Sequence, residues 1–430
     1  MIMQTLTRDS YEEQCREAVF RVDPAFGFGT VGVTLSVPLL PASVIGASFA
    51  EHAFDVQSRT STDTVILTGV GGVAVSSDLG RQWCWVAMPE AGKVRLRNSF
   101  TLSNGNRLLQ EAAPSIVAGW PGPRLFLVDP TGRMLQEAWI GESPWHGPRA
   151  IDERCGTIMF AEYPVNAAKY RKDFVEKRAE LEPLCRDCRV FRSRDQGRSW
   201  EVVFRLSWKD IRHFHTLVAD PFDDGVWWLS SGDTPIECRV WRSGDDGNTW
   251  QEATDPSPQI ESHPQADAYR MSAHRYTDLV ILPDRMLWGT DDVLGPRKLI
   301  AEAVADTAGP RIGSRLVVTP KSVPLALKSH AYIGNQVRSI VDVGPAYLIL
   351  TEAKTPAVFP GPQVLIMSKR DPDLVAPLFV AEVGSQAANT GFTYSMTSKA
   401  AKDGCFFSMR KSTDVFDGGP QVLKWRLDFA

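Results

Sequence analysis

The sequence predicts an all-β protein, a β-propeller of seven blades, with six as the alternative count. Three observations predict it: one octapeptide turn occurs three times, strand-like apolar runs flank the copies, and their spacing suits blades of roughly 50–60 residues. A chain of 430 residues would ordinarily divide into two or three domains of ~150 residues, and a large repeat fold is how one chain of this size closes into a single body. The expectation is therefore a single propeller domain over residues 1–430.

The octapeptides are Ser76-Ser-Asp78-Leu-Gly80-Arg-Gln-Trp83, Ser193-Arg-Asp195-Gln-Gly197-Arg-Ser-Trp200 and Ser243-Gly-Asp245-Asp-Gly247-Asn-Thr-Trp250, which share the pattern S-x-D-x-G-x-x-W. Their chemistry is that of a tight hairpin turn. Ser and Asp side chains accept bonds from nearby backbone N–H groups, Gly takes a positive φ without steric cost, and Trp packs inward at the start of the next strand. Strand-forming segments such as Arg189-Val-Phe-Arg192 and Trp200-Glu-Val-Val-Phe204 lie on either side.

The box aspartates stand 117 and then 50 residues apart, which reads as two repeats with one box lost, then one repeat. Leu127-Val-Asp129-Pro-Thr-Gly132-Arg133 is the remnant of the lost box. The blades then run over 50–90, 91–141, 142–206, 207–256, 268–320, 329–384 and 385–430. A strand over 29–39, where Val31, Val33, Leu35 and Val37 alternate with smaller residues, closes the ring by completing the last blade. Blade three carries an insertion, 164–188, of helical composition ending near Pro183, expected as a lid or as a solvated decoration.

The octapeptide matches the Asp-box, also called the bacterial neuraminidase repeat, and the chain resembles the sialidase-like superfamily of β-propellers. The box is structural and occurs in hydrolases, receptors and assembly factors alike, so the resemblance implies a fold rather than an activity. The Arg-Ile-Pro signature that supplies the first sialidase arginine is absent from the early chain, so sialidase activity itself is not expected.

In a four-stranded blade the turn between the two outer strands lies on one face of the disc. The start of the innermost strand and the end of the second lie on the other, so the box turns mark the face opposite any site. Second-strand ends offer Glu162 and Tyr163, Asp233, Asp291 and Glu352; innermost-strand starts offer His146 and Arg149, Arg212, His213 and His215, Tyr269 and Arg270, and Arg338. Carboxylates, guanidinium groups and imidazoles at one mouth suit acid/base work on an anionic, hydroxyl-rich ligand.

The leading expectation is a glycoside hydrolase cleaving a bond in an acidic oligo- or polysaccharide. Asp233, Asp291 and Glu162 are its acid/base candidates, His213 and His215 its base or orienting groups. Arg212, Arg270 and Arg338 are the anion clamps, in the manner of the sialidase arginine cluster. Tyr163 or Tyr269 is the acid of a second reading, a polysaccharide lyase acting on a uronate. The third reading is a non-catalytic propeller that binds a glycan or a protein. No cofactor is expected, with one alternative: His213 and His215, two apart on a strand and so on one face, hold a metal completed by Asp233 or Glu162.

With 47 Lys plus Arg against 51 Asp plus Glu and a formal charge of −4, there is no basic field for nucleic acid or an anionic membrane. The uncharged stretch 25–50 contains Pro38, Pro41, Gly32 and Gly46 and does not read as a membrane span. The first twenty residues lack a secretory pattern, and seven scattered cysteines, the lone Cys185-Arg-Asp-Cys188 among them, read as free thiols. Both point to the cytoplasm. Oligomeric state is not legible.

Overall fold

The computed structural model describes residues 14–21, 30–37, 65–69, 71–76, 82, 84–87, 96–111, 122–143, 147–168, 172–234, 236–253, 276–281, 286–290, 297–302, 311–316, 335–343, 345–353, 363–368, 375–380, 392–396, 405–410 and 421–429. Most of these residues lie in β-strands, which pair as antiparallel sheets. They fall into two compact units, one formed by 1–101 with 317–430 and the other by 102–316.

In the first unit, strand Thr30–Val37 lies between Gln14–Arg21 and the final strand Gln421–Phe429 in a five-stranded sheet, with Val33 opposite Leu427. A second sheet runs Asn335–Asp342, Ala346–Ala353, Gln363–Ser368 and Val375–Val380 in chain order.

The second unit holds blades three, four and five in consecutive sheets. Blade three is Gly147–Arg154, Thr157–Tyr163, Cys188–Ser193 and Glu201–Leu206; blade four is Phe214–Ala219, Trp227–Ser231, Val240–Ser243 and Gln251–Glu252. Blade five runs Tyr276–Ile281, Met286–Thr290, Arg297–Glu302 and Arg311–Leu316.

Inner strands are buried on both faces, which is why Trp227-Trp-Leu-Ser-Ser231 does not alternate in polarity. Adjacent residues still face opposite ways. Trp227 joins Met159, Val190, Phe214 and Trp241 in the core between blades three and four, while Trp228 joins Val240, Tyr276, Leu279 and Met286 between blades four and five.

The two described octapeptides fold alike. The Gly197 N–H donates to Ser193 Oγ and the Ser199 N–H to Asp195 Oδ1, at 2.8 and 2.9 Å; Gly247 and Thr249 repeat both bonds to Ser243 and Asp245 at 2.8 Å. Gln196 and Gly197 take φ of 61° and 82°, and Asp246 and Gly247 take 60° and 82°. Left-handed pairs of this kind are what place Gly at the fifth position. In the Asp129 turn, Thr131 and Arg133 donate their N–H groups to Asp129 Oδ1, and Gly132 has φ 87°.

The insertion of blade three is two short helices, Lys172–Glu176 and Arg178–Leu181, between 3-10 turns. Val165, Phe174, Leu181 and Cys185 bury one side of it, with Tyr163 and Trp208 packed against them.

Candidate functional site

The structure gathers Arg212, His213, His215, Asp233 and Tyr163 at the mouth of blades three and four. The chain enters blade four through Ile211, Arg212 and His213, all buried. His213 and His215 share a face as period-2 alternation requires. Pairing on that strand passes from Phe214–Ser231 to Thr216–Ser230, so His215 is the extra residue of a β-bulge, a device that re-aims a side chain.

The same slip recurs on the innermost strands of three other sheets, at Arg149, Thr277 and Arg338. Three of the four bulge positions are thus site candidates named from sequence, although register itself is not readable there.

His215 Nδ1 lies 2.9 Å from the backbone oxygen of Tyr276 in blade five. A carbonyl only accepts, so Nδ1 carries a proton. His215 Nε2 then faces His213 Nε2 at 2.7 Å and Asp233 Oδ1 at 3.3 Å. The Tyr163 ring lies over His213, with centroids 4.2 Å apart.

Asp233 sits on a loop that doubles back between the second and third strands. Gly232, at φ 91°, permits the reversal, since a Cβ there would strike the Glu237 backbone. The Gly232 N–H donates to the His213 carbonyl, Ser231 Oγ to the Glu237 carbonyl, and Thr234 N–H and Oγ1 to Glu237 Oε2. This hydrogen-bonded loop offers two carboxylates to one arginine: Arg212 Nη2 is 3.2 Å from Asp233 Oδ2 and 3.0 Å from Glu237 Oε2, with Nε also on Glu237. Asp233 and Glu237 are 15% and 14% exposed.

Glu162 has a different setting. Both of its oxygens accept from Arg189, at 2.8 and 3.0 Å, and Arg189 also reaches Glu142 at 2.8 Å. Burial pushes the Glu162 carboxyl above its ordinary range against the pull of the Arg189 fork, while Arg189 is buried as well yet kept charged by Glu162 and Glu142. Glu162 and its neighbour Tyr163 thus serve opposite faces of the strand. Burial pushes the Cys188 thiol well above its ordinary value, and Cys185 and Cys188 are both buried thiols outside any disulfide.

His146, Tyr269, Arg270 and Asp291 lie outside the described residues. Arg149, Arg338 and Glu352 lie on described strands, Glu352 opposite Gln336. Sequence reasoning missed Arg189, Glu142, Glu237 and the Tyr276 carbonyl. Glu237 carried a signal, a second carboxylate in the short loop Asp233-Thr-Pro-Ile-Glu237 facing an arginine at the strand entrance; Arg189 carried none.

Over 91% of its length the chain is similar to 98% of YCF48 from Cyanidioschyzon merolae, at 10% identity and a TM-score of 0.51. It has a β-propeller fold. It is also similar to a chain of the mitotic checkpoint complex, at 8% identity and a TM-score of 0.48 over 91% of this chain and 93% of that one. The WD40 domain of Neurospora crassa Pan2 follows at 10% and 0.44, over 88% and 91%. No protein-family model and no curated protein matches the chain. At such identities the likeness to YCF48 establishes the propeller and nothing finer. Among the described residues no helix is long and apolar enough to cross a membrane.

Proposed function

We propose that the chain, as one propeller over residues 1–430, is a non-catalytic platform that binds a protein or peptide on the face where the second strands of its blades end. The observation that carries this reading is that the clamp and acid candidates whose side chains are described, Arg212 and Glu162, are already spent on neighbouring charges. Arg212 is shared by Asp233 and Glu237, and Glu162 is gripped on both oxygens by Arg189. A clamp for a ligand carboxylate needs a guanidinium fork not already filled.

The connections that follow the second strands of blades three and four instead carry exposed apolar groups, Val175 at 57% and Ile236 at 77%. Apolar side chains offered to water on these two connections suit a protein partner better than a polyanionic glycan. The Asp-box superfamily reading rests on the octapeptides and the turns they form. A cytoplasmic address is supported by five free cysteines among the described residues.

The enzyme readings keep one observation in their favour, the close set of His213, His215, Asp233 and Tyr163. One experiment separates the three. The chain is incubated with acidic oligosaccharides while reducing ends and the absorbance of an unsaturated uronate are followed. Reducing ends lost in Asp233→Asn establish a hydrolase on an acidic glycan, and absorbance lost in His215→Ala establishes a lyase. The platform predicts neither product, and cross-links to a co-purifying protein that map beside Val175 and Ile236 and vanish in Ile236→Asp.

A further inference from the structure

We infer that His213, His215 and Asp233 form a binding site for a late first-row divalent metal ion, zinc foremost. One nitrogen from each histidine and an oxygen of Asp233 lie within 4.8 Å of one another, the only such group of three among the described residues. Both imidazoles are buried, at 0% and 2% exposure.

Proton bookkeeping carries the inference. The Tyr276 carbonyl accepts from His215 Nδ1, which selects the tautomer whose Nε2 lone pair faces the cluster. That lone pair faces Asp233 Oδ1, another acceptor, at 3.3 Å. His213 Nε2, at 2.7 Å from His215 Nε2 and 3.7 Å from Asp233 Oδ2, has one proton to offer to two acceptors. A cation at the centre turns all three into favourable contacts.

The surroundings are those of a metal site. A ligating histidine characteristically donates its other N–H to a carbonyl or carboxylate, which fixes tautomer and ring, and the His215–Tyr276 bond does so. The bulge at His215 aims the ring inward. Two imidazoles and one carboxylate, with water in a fourth position, suit zinc, and the 15% exposure of Asp233 leaves access for that water.

Three features oppose binding. His213 Nδ1, which carries the proton when Nε2 ligates, is buried with no hydrogen-bond partner among the described residues, so only His215 has the outer partner of a ligating histidine. The Nε2 atoms must open by roughly 0.6 Å to reach Zn–N distances of ~2.0–2.1 Å around a tetrahedral ion. Arg212 must yield Asp233, but Nε and Nη2 keep it on Glu237. Glu162, the other carboxylate considered as a third ligand, is withdrawn by Arg189. The site goes beyond the platform role and does not depend on it.

The test is titration of the chelator-stripped full chain with Co(II), followed by visible absorption, and then with Zn(II). Expected are about one equivalent of Co(II) with four-coordinate absorption, displaced by zinc, and affinity at least ~10-fold weaker in His213→Ala and in Asp233→Asn. A Cys185→Ser/Cys188→Ser variant, which removes the nearby C-x-x-C pair, keeps the site. Circular dichroism checks that each variant stays folded. Should His213→Ala misfold, the Asp233→Asn and cysteine variants decide alone. Equal cobalt binding by wild type and a folded His213→Ala or Asp233→Asn overturns the inference. So does binding abolished by the cysteine changes, or no cobalt binding by the folded wild-type chain.

Discussion

Blades three and four place a carboxylate at or just beyond the end of the second strand and pair it with arginine, yet the two pairs are built differently. In blade three, Glu162 is 1% exposed and Arg189 meets it with two parallel bonds from the neighbouring strand. In blade four, Asp233 stands two residues beyond its strand, on a loop, and shares Arg212 with Glu237 at 15% and 14% exposure. A carboxylate on the strand is sealed into the sheet, whereas one on the following loop stays near water and beside two imidazoles. A shift of three residues relative to the strand end separates a structural ion pair from a candidate site.

The largest effect should come from breaking the sealed pair. Arg189→Ala leaves Glu162 buried and unpaired, and denaturant unfolding should show a loss of about 3–5 kcal/mol. Replacing both partners, Arg189→Met with Glu162→Leu, should recover most of it. Arg212→Ala in blade four should cost less, about 1–3 kcal/mol, because water reaches the carboxylates it leaves. If the two arginine variants are equally destabilised, the contrast between the blades fails.

A smaller effect compares two hairpin turns. Gly247 and Gly156 both have φ 82°, but a Cβ at Gly247 meets Met159 Cε at 2.5 Å, while one at Gly156 meets nothing within 4 Å. Gly156→Ala should lower stability by roughly 1 kcal/mol and Gly247→Ala by about 2 kcal/mol, read as urea midpoints. Equal losses would mean that Met159 moves aside freely.

Smallest is the acid response of the boxes. Burial raises the Asp195 and Asp245 carboxyls, but the Ser199 and Thr249 hydroxyls and N–H groups outweigh it and leave both below the ordinary carboxylate value. A depressed group contributes stability that is complete above its unfolded value of ~3.9 and disappears as pH falls through the folded one. Stability should therefore drop in that acid window, and Asp195→Asn/Asp245→Asn should flatten the slope. An unchanged slope would assign acid sensitivity elsewhere.

The fold was legible because its signal is local. An eight-residue turn contains its own acceptors, its glycine and its tryptophan, and the copies reveal a period. Half of the site was legible for the same reason: His213 and His215 share a face by alternation alone, and Arg212 precedes them. The remainder depends on register. That Arg189 stands against Glu162, or that the Tyr276 carbonyl reaches His215 from the next blade, follows from strand pairing and a one-residue bulge, which composition does not encode. Glu162 looked like an acid/base group for this reason, since its arginine is 27 residues away.

Asp246, inside the third octapeptide, has a consequence for the order of assembly. Its carboxylate accepts from Thr157 Oγ1 and Trp227 Nε1, and its carbonyl from Arg192, so one turn residue of blade four clasps two strands of blade three. Thr157 and Asp246 are 89 residues apart. Blade three is thus held by a turn that is synthesised after it.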